Sequence, residues 1–446
     1  MSVAAESLTQ VLVDYQRLAV ESNLGLRSEA LQVQSSEAAL RAARARFFPE
    51  LALTARYTWA DGGRDIVFPI DQIINPAYQT LNELLVAQGG PPRFAPLEDQ
   101  SFALQRPREQ DTRVTLRQPL YQPAIPAGVA ARRSQLRSAE ESRAAFARRL
   151  RRDVTIGYLR YLQAQRAVGI VQASLELLEE NQRVNDSLFR NGSVTQDQVL
   201  RARAELLTVQ QQRRDADNST AQARSYLNFL MNRQLDTPLE DAVHIDTSDA
   251  PQPAALADLR AAALDRRPEL RQLAAVSDAA NAQVRIAKAA LKPSLSLGVD
   301  AGTQGTQYRL GPGYNFVAAS LVLSWKFFDG GANRAALAQS RITARQAQLQ
   351  REVSALQVQM EVQQAADQLA ATFDSLATAQ AREEAATAAF RIASRKRDEG
   401  VINQVEFIDA RSTLTGAQLN LNITRFELLA RRAELDYAAG VAGDQP

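Results

Sequence analysis

Two rhythms alternate along this chain. Beginning at Arg46, "RFFPELALTARYTWADGG" places Leu51, Leu53, Ala55, Tyr57 and Trp59 on one side and Ala52, Thr54, Arg56 and Thr58 on the other. That period of two predicts a strand with one apolar and one polar face. The alternation returns in "PSLSLGVDAG", where Leu295, Leu297, Val299 and Ala301 oppose Ser294, Ser296, Gly298 and Asp300. It appears again in "TRVTLRQPLY", where Val114 and Leu116 oppose Arg113, Thr115 and Arg117, and in "NFVAASLVLSWKFFDG", with Val317, Ala319, Leu321, Leu323 and Trp325 on one face. The predicted strands cover about 49–60, 112–121, 293–302 and 316–327. Between them lie long, polar, alanine-rich helical runs. From Ala127 to Phe189 there is no proline, and Gly128, Gly157 and Gly169 are the only glycines. A continuous helix there is roughly 95 Å long. Val168, Val171, Leu175 and Leu178 keep the 3-4-3 spacing of a seam for a neighbouring helix.

The chain is written twice. A shift of 244 places Arg41 on Arg285, Ala43 on Ala287, Pro49 on Pro293, Leu51 on Leu295 and Leu53 on Leu297. Further on, a shift of 208 places Gly192 on Gly400, Val194 on Ile402, Gln196 on Gln404, Leu200 on Ile408 and Arg203 on Arg411. The shift falls because the first half has the longer insertion after its first strand, a loop expected over Asp61 to Gln110. The expected organisation is a first repeat over 1–232 with a helix hairpin over about 127–232, and a connection over 233–267. A second repeat follows over 268–440 with a hairpin over about 332–439, then a tail over 441–446.

Composition removes several classes of function. Fifty-two basic and 50 acidic residues leave a net charge of +2, spread along the chain, so there is no basic footprint for nucleic acid. Cysteine is absent, which excludes disulfides, thiolate metal sites and thiol nucleophiles. His244 is the one histidine and lies in a connection-like stretch, "EDAVHIDTSD", so a histidine-based triad or metal site has nothing to build on. There is no Walker loop and no nucleophile paired with a base; the chain reads as a non-enzyme without cofactors or metal. No run of about 18 apolar residues predicts a membrane helix. The start, "MSVAAESLTQVLVDYQ", lacks the basic and apolar segments of a signal peptide. An exported protein is therefore expected to be written here in mature form.

The half-polar strands admit two solutions. A soluble sheet covers its apolar face with helices; a membrane barrel turns it to lipid and its polar face to a water-filled lumen. Strands of about 9–11 residues and interfacial aromatics such as Tyr57, Trp59 and Trp325 suit the barrel. The lipid-facing set is then Leu51, Leu53, Tyr57, Trp59, Val114, Leu116, Leu295, Leu297, Val299, Leu321, Leu323 and Trp325. Four strands are too few, since small membrane barrels use about eight, and an open edge in lipid leaves backbone groups unpaired. Copies must combine. The competing reading is a long coiled-coil structural or adaptor protein.

These segments in duplicate, with "LDRRPEL", "LSWKFFDGG", "RNGSVTQDQVLRARAELL" and "DEGVINQVEFIDARSTLTGAQL", resemble the TolC-type outer membrane factor (outer membrane efflux protein) family from about Glu6 to Gly440. The resemblance implies a mainly helical homotrimer. Three copies would contribute about twelve strands to an outer membrane β-barrel, continued by a long periplasmic α-helical barrel with a small mixed equatorial domain. It implies a passive exit duct of a tripartite efflux pump or type I secretion system, partnered by a periplasmic adaptor, an inner membrane transporter and outer membrane lipid.

The resemblance also assigns residues. The adaptor-docking tips correspond to Asn191, Gly192, Ser193 and Val194, and to Glu399, Gly400, Val401 and Ile402. Glycine at such a turn is also what a helix C-cap needs. The acidic positions of the periplasmic entrance correspond to Glu406 and Asp409, three apart and so on one helical face, with Asp197 and Gln198 in the first turn. Two solvated carboxylates near a helix N-terminus are the plainer reading of that spacing. Arg397 and Ile402 stand where the family's best-known member has the tyrosine and arginine of its closing network, so that lock does not carry over.

Overall fold

A computed structural model describes residues 8–241 and 255–441 of the chain. His244 and part of the expected 233–267 connection lie outside the described residues. The chain divides into two compact units, one of helices and one built around a sheet.

The sheet unit comprises residues 41–129 and 285–338. Its four strands are β1 (Glu50–Trp59), β4 (Arg108–Tyr121), β5 (Ser294–Gly305) and β6 (Asn315–Ser324), in the order β1-β4-β5-β6. All neighbours are antiparallel. The registers carry the alternation across the sheet: Leu51 faces Leu116, which faces Val299, which faces Ala319. The next apolar row is Leu53, Val114, Ala301 and Val317. Directly opposite residues share a face, so these rows form one continuous apolar surface. β6 stops at Ser324, short of the expected end at 327. Trp325 therefore lies just beyond the strand, where its indole Nε1 donates to the Leu291 carbonyl at 3.3 Å.

The expected loop over Asp61–Gln110 contains regular structure. A hairpin pairs β2 (Asp65–Phe68) with β3 (Gln100–Ala103) around helix α3 (Ile70–Ala87). Pro76 inside α3 and the flanking Gly62, Gly63, Gly89 and Gly90 give the stretch its loop-like composition.

The helical unit comprises residues 8–40, 130–284 and 339–441 among those described. Its elements are α1 (Leu8–Ser22), α2 (Leu24–Ala45), α4 (Ala124–Arg190), α5 (Gln196–Leu230), α6 (Leu256–Arg266), α7 (Pro268–Ala289), α8 (Ala332–Asp398) and α9 (Gln404–Ala438). The duplication is written in their lengths: α2 and α7 have 22 residues each, α4 and α8 have 67, and α5 and α9 have 35. α4 starts at Ala124 with Pro126 in its first turn, where an amide N–H has no helical partner to lose.

Seven-residue spacing makes the long helices pair. Phe407, Leu414, Leu421, Leu428 and Leu435 form a buried ladder down α9, the repeat that drives coiled-coil packing. On α4, Val171 and Leu178 are buried against Val209, with Leu175 packed on them, as the 3-4-3 seam predicts. In α1, Val11, Tyr15 and Ala19 recur every fourth residue and join Val154, Tyr158, Leu227 and Met231 in the largest core. Tyr15 and Tyr158 meet edge to face at 5.3 Å. Both hydroxyls hold the backbone of Glu240, one accepting its N–H and the other donating to its carbonyl, each at 2.8 Å.

The "LDRRPEL" motif ties α6 and α7 to α8 and α9. Pro268 opens α7, the position proline favours. Arg267 is buried and donates to Glu361 at 2.5 Å and to Glu269 at 3.4 Å. The Tyr437 hydroxyl donates to Glu269 at 3.1 Å. Burial pushes the Glu269 carboxyl up, but the hydrogen bonds from Arg267 and Tyr437 outweigh it and hold it below the ordinary glutamate range. Asp436 next door has the opposite balance: burial raises its carboxyl, opposed only by the charge of Arg432.

Candidate functional site: the half-apolar sheet and the helix tips

The apolar face of the sheet is bare in the isolated chain. Leu53 is 72 %, Trp59 70 %, Val317 77 % and Leu323 67 % exposed, values that belong to surface rather than core. Leu51, Tyr57, Val114, Leu321 and Trp325 are exposed as well, whereas Leu116, Leu295, Leu297 and Val299 on the inner strands are half-buried.

The other face is wired with charge. Asp111 is buried; it pairs with Arg113 and lies 3.5 Å from Arg56. Thr115 donates to Asp300 at 2.5 Å across β4 and β5. A sheet that buries carboxylates on one side and exposes leucines on the other is inverted relative to a soluble layer. It fits lipid on the apolar side and water on the polar side. β1 and β6 are its two edges, paired on one side only.

The two helix turns are copies of one design. At the end of α4, Ser193 N–H reaches the Leu188 carbonyl at 2.8 Å and Gly192 N–H the Phe189 carbonyl at 2.9 Å. At the end of α8, Val401 N–H reaches Lys396 at 2.8 Å and Gly400 N–H reaches Arg397 at 2.9 Å. This paired pattern is the Schellman motif, with glycine in the left-handed position. The C-cap role of both glycines is therefore present. Asn191, Gly192, Ser193, Glu399, Gly400 and Val401 are exposed, and Val194 and Ile402 are half-buried.

The helix starts differ. Asn403 caps α9, accepting from the Glu406 N–H at 2.9 Å while its amide donates to the Glu406 carboxylate at 3.2 Å. Thr195 precedes α5 without capping a backbone N–H; its hydroxyl bonds to Asp197, which lies 3.9 Å from Arg201. Glu406, Asp409 and Asp197 are exposed and Gln198 is half-buried. Among the described residues, no hydrogen bond or ion pair joins Asp197 or Gln198 to Glu406 or Asp409.

Near the tips the helix seams turn polar and cationic. The α4 seam continues from Leu178 into Asn181 and Asn185, both buried, with the Asn185 amide donating to the Asn181 carbonyl at 2.7 Å. Arg397 stacks on the buried Phe407 ring at 4.2 Å. Arg411 is buried, donates to the Ser174 hydroxyl at 3.2 Å and lies 5.3 Å from the Phe390 ring. Burial pushes its guanidinium down from the ordinary arginine range. Its repeat counterpart Arg203 is exposed. The seven-and-four spacing of Ser174, Asn181 and Asn185 is the sequence signal for this seam.

The duplicated chain thus combines long paired helices with a sheet that is apolar on one face and charged on the other. The chain matches the outer membrane efflux protein family over residues 16–233 and 259–441, and it belongs to that family. It is similar to the probable efflux pump outer membrane protein SepC of Pseudomonas putida, 27 % identical over 303 residues. That alignment covers 66 % of this chain and 61 % of the relative's length. Among solved structures, the outer-membrane channel OprN matches with a TM-score of 0.79 at 19 % identity, covering 98 % of this chain and 91 % of that one. The CmeC outer membrane channel of Campylobacter jejuni matches with a TM-score of 0.80 at 16 % identity, covering 97 % and 87 %. The fold is that of these outer membrane channels.

Proposed function

We propose that this chain is the outer membrane exit duct of a tripartite efflux or type I secretion assembly, working as a homotrimer that conducts substrates passively. The observation that carries the reading is the sheet: exposed leucines and aromatics on one face, Asp111, Arg113 and Asp300 on the other, and two free edges. An edge left open in lipid is untenable, so β6 of one copy must pair with β1 of the next.

The duplication supplies a register for that seam. Tyr57 faces Gln110 as Ala301 faces Val317, so β1 maps onto β5 and β4 onto β6. Within the chain Val114 faces Ala301. The corresponding pair between copies is Leu321 opposite Tyr57, apolar against apolar, and the alternation stays in phase around the ring. Three copies then close about twelve strands.

In this reading the paired tips at Gly192 and Gly400 receive a periplasmic adaptor, and an inner membrane transporter supplies the energy. Glu406 and Asp409 from three copies form acidic rings at the entrance, which favour cations. The direct test is the mass of the detergent-purified protein, corrected for detergent, together with planar-bilayer conductance. A trimer that conducts supports the proposal. A rod that stays soluble without detergent would mean that protein covers the apolar face, and the proposal would fall.

A further inference from the structure

Between β1 and β4 the chain builds a small structure of its own. Asn75 and Asn82 lie seven residues apart on α3 and so share a face. Asn82 accepts from the N–H groups of Arg93 and Phe94 at 2.9 and 3.0 Å and donates to the Phe94 carbonyl at 2.7 Å. Asn75 grips Leu97 the same way, accepting from its N–H at 2.7 Å and donating to its carbonyl at 2.8 Å. Tyr78 packs on Phe94 at 5.0 Å between ring centres. This face of α3 is clamped by its own chain. The opposite face carries Ile73, Ala77, Leu81 and Leu84, all exposed, with Ile73 at 61 % and Leu84 at 55 %. An uncharged stripe opposite a covered face calls for a second partner.

We infer that this stripe packs against the same helix in neighbouring copies, so that the α3 helices together narrow the outer mouth of the duct; the inference rests on the trimer proposed above. Two observations select this occupant. The charged residues of α3 are Asp71 and Glu83, with no lysine or arginine. Helices that lie on a lipid surface carry basic residues along their polar face, so a membrane surface is a poor match. The loop also leaves the sheet at Trp59, the end of edge strand β1, and only residues 60–69 separate that point from α3. The helix is thus tethered at the seam where β1 is assigned to meet the next copy.

The chain has no cysteine, so a single introduced thiol is unique. Leu81→Cys and Ile73→Cys are made in the full chain, purified in detergent and oxidised. Gln79→Cys, on the clamped side, serves as the comparison. Tyr57→Cys with Leu321→Cys in the same background reports the seam itself. The expected result is a reducible covalent dimer from the stripe variants and none from Gln79→Cys. A linked seam with unlinked stripe variants overturns the inference while leaving the trimer standing. An unlinked seam with monomeric mass overturns the trimer and the inference with it. As a second readout, Ile73→Ser with Leu84→Ser should raise single-channel conductance, and unchanged conductance in an intact trimer also overturns the narrowing.

Discussion

Gly192 and Gly400 hold the same backbone angle, φ of +73°, at the same place in two copies of one hairpin. A Cβ added at either would meet nothing within 4 Å. Steric crowding therefore plays no part, and the cost of alanine is the left-handed conformation alone, about 1–2 kcal/mol at each turn. This separates capping from docking. Gly→Ala at both positions should speed amide hydrogen exchange at the ends of α4 and α8 yet preserve export. Gly192→Arg with Gly400→Arg should abolish export in trimers of unchanged mass. Normal export by the arginine variant would place the docking surface elsewhere.

The seam proposed between copies has a register that can fail by one step. The assigned pair is Leu321 with Tyr57, the repeat image of Val114 with Ala301. Cysteines at both positions should give a covalent ladder up to the trimer on oxidation. Leu321→Cys with Thr58→Cys should link far less, because a one-residue slip turns side chains to opposite faces. Equal linking by both pairs would show that the duplication does not govern the seam.

The strands and the duplication were legible because their signals are local. Leu51, Leu53, Tyr57 and Trp59 alternate within ten residues, and the Leu51–Leu116–Val299–Ala319 row follows once the strands pair. Helix α3 was hidden because what fixes it is not local. Its asparagines bind backbone up to 22 residues away, whereas Pro76 and the glycine pairs advertise a loop. The glycine turns could be read in advance, but the stacking of Arg397 on Phe407 could not, since it depends on how α8 meets α9.

The role proposed for Glu406 at the entrance can be divided from its place in the helix cap by one substitution. It occupies the third position of α9, where its side chain bonds with the capping Asn403. Glutamine preserves a capping interaction of this kind while removing the charge. Glu406→Gln with Asp409→Asn should therefore leave thermal stability nearly unchanged and lower the cation preference in single-channel recordings. Asn403→Ala should do the reverse, costing about 1 kcal/mol with selectivity retained. Unaltered selectivity in the double variant would remove the acidic rings from the mechanism.

Glu269, bonded to Tyr437, and Asp436, the residue before that tyrosine, give opposite pH signatures. Glu269 titrates lower in the folded chain than an ordinary glutamate, so the folded state favours its ionised form. Its contribution is complete above the ordinary glutamate range and is lost as pH falls through the depressed folded value. Asp436 is raised by burial, so the folded state favours its protonated form. Its contribution is present at low pH and lost as pH rises through the elevated folded value. Asp436→Asn should accordingly raise the melting temperature at neutral pH and have little effect in acid. Glu269→Gln leaves Arg267 buried with a weakened partner and should lower the melting temperature at neutral pH, by the equivalent of about 3 kcal/mol. That loss should shrink in acid, where the wild-type carboxylate is itself protonated. Melting curves of the three proteins across the acid range decide the matter: parallel curves would show that neither carboxyl is coupled to folding.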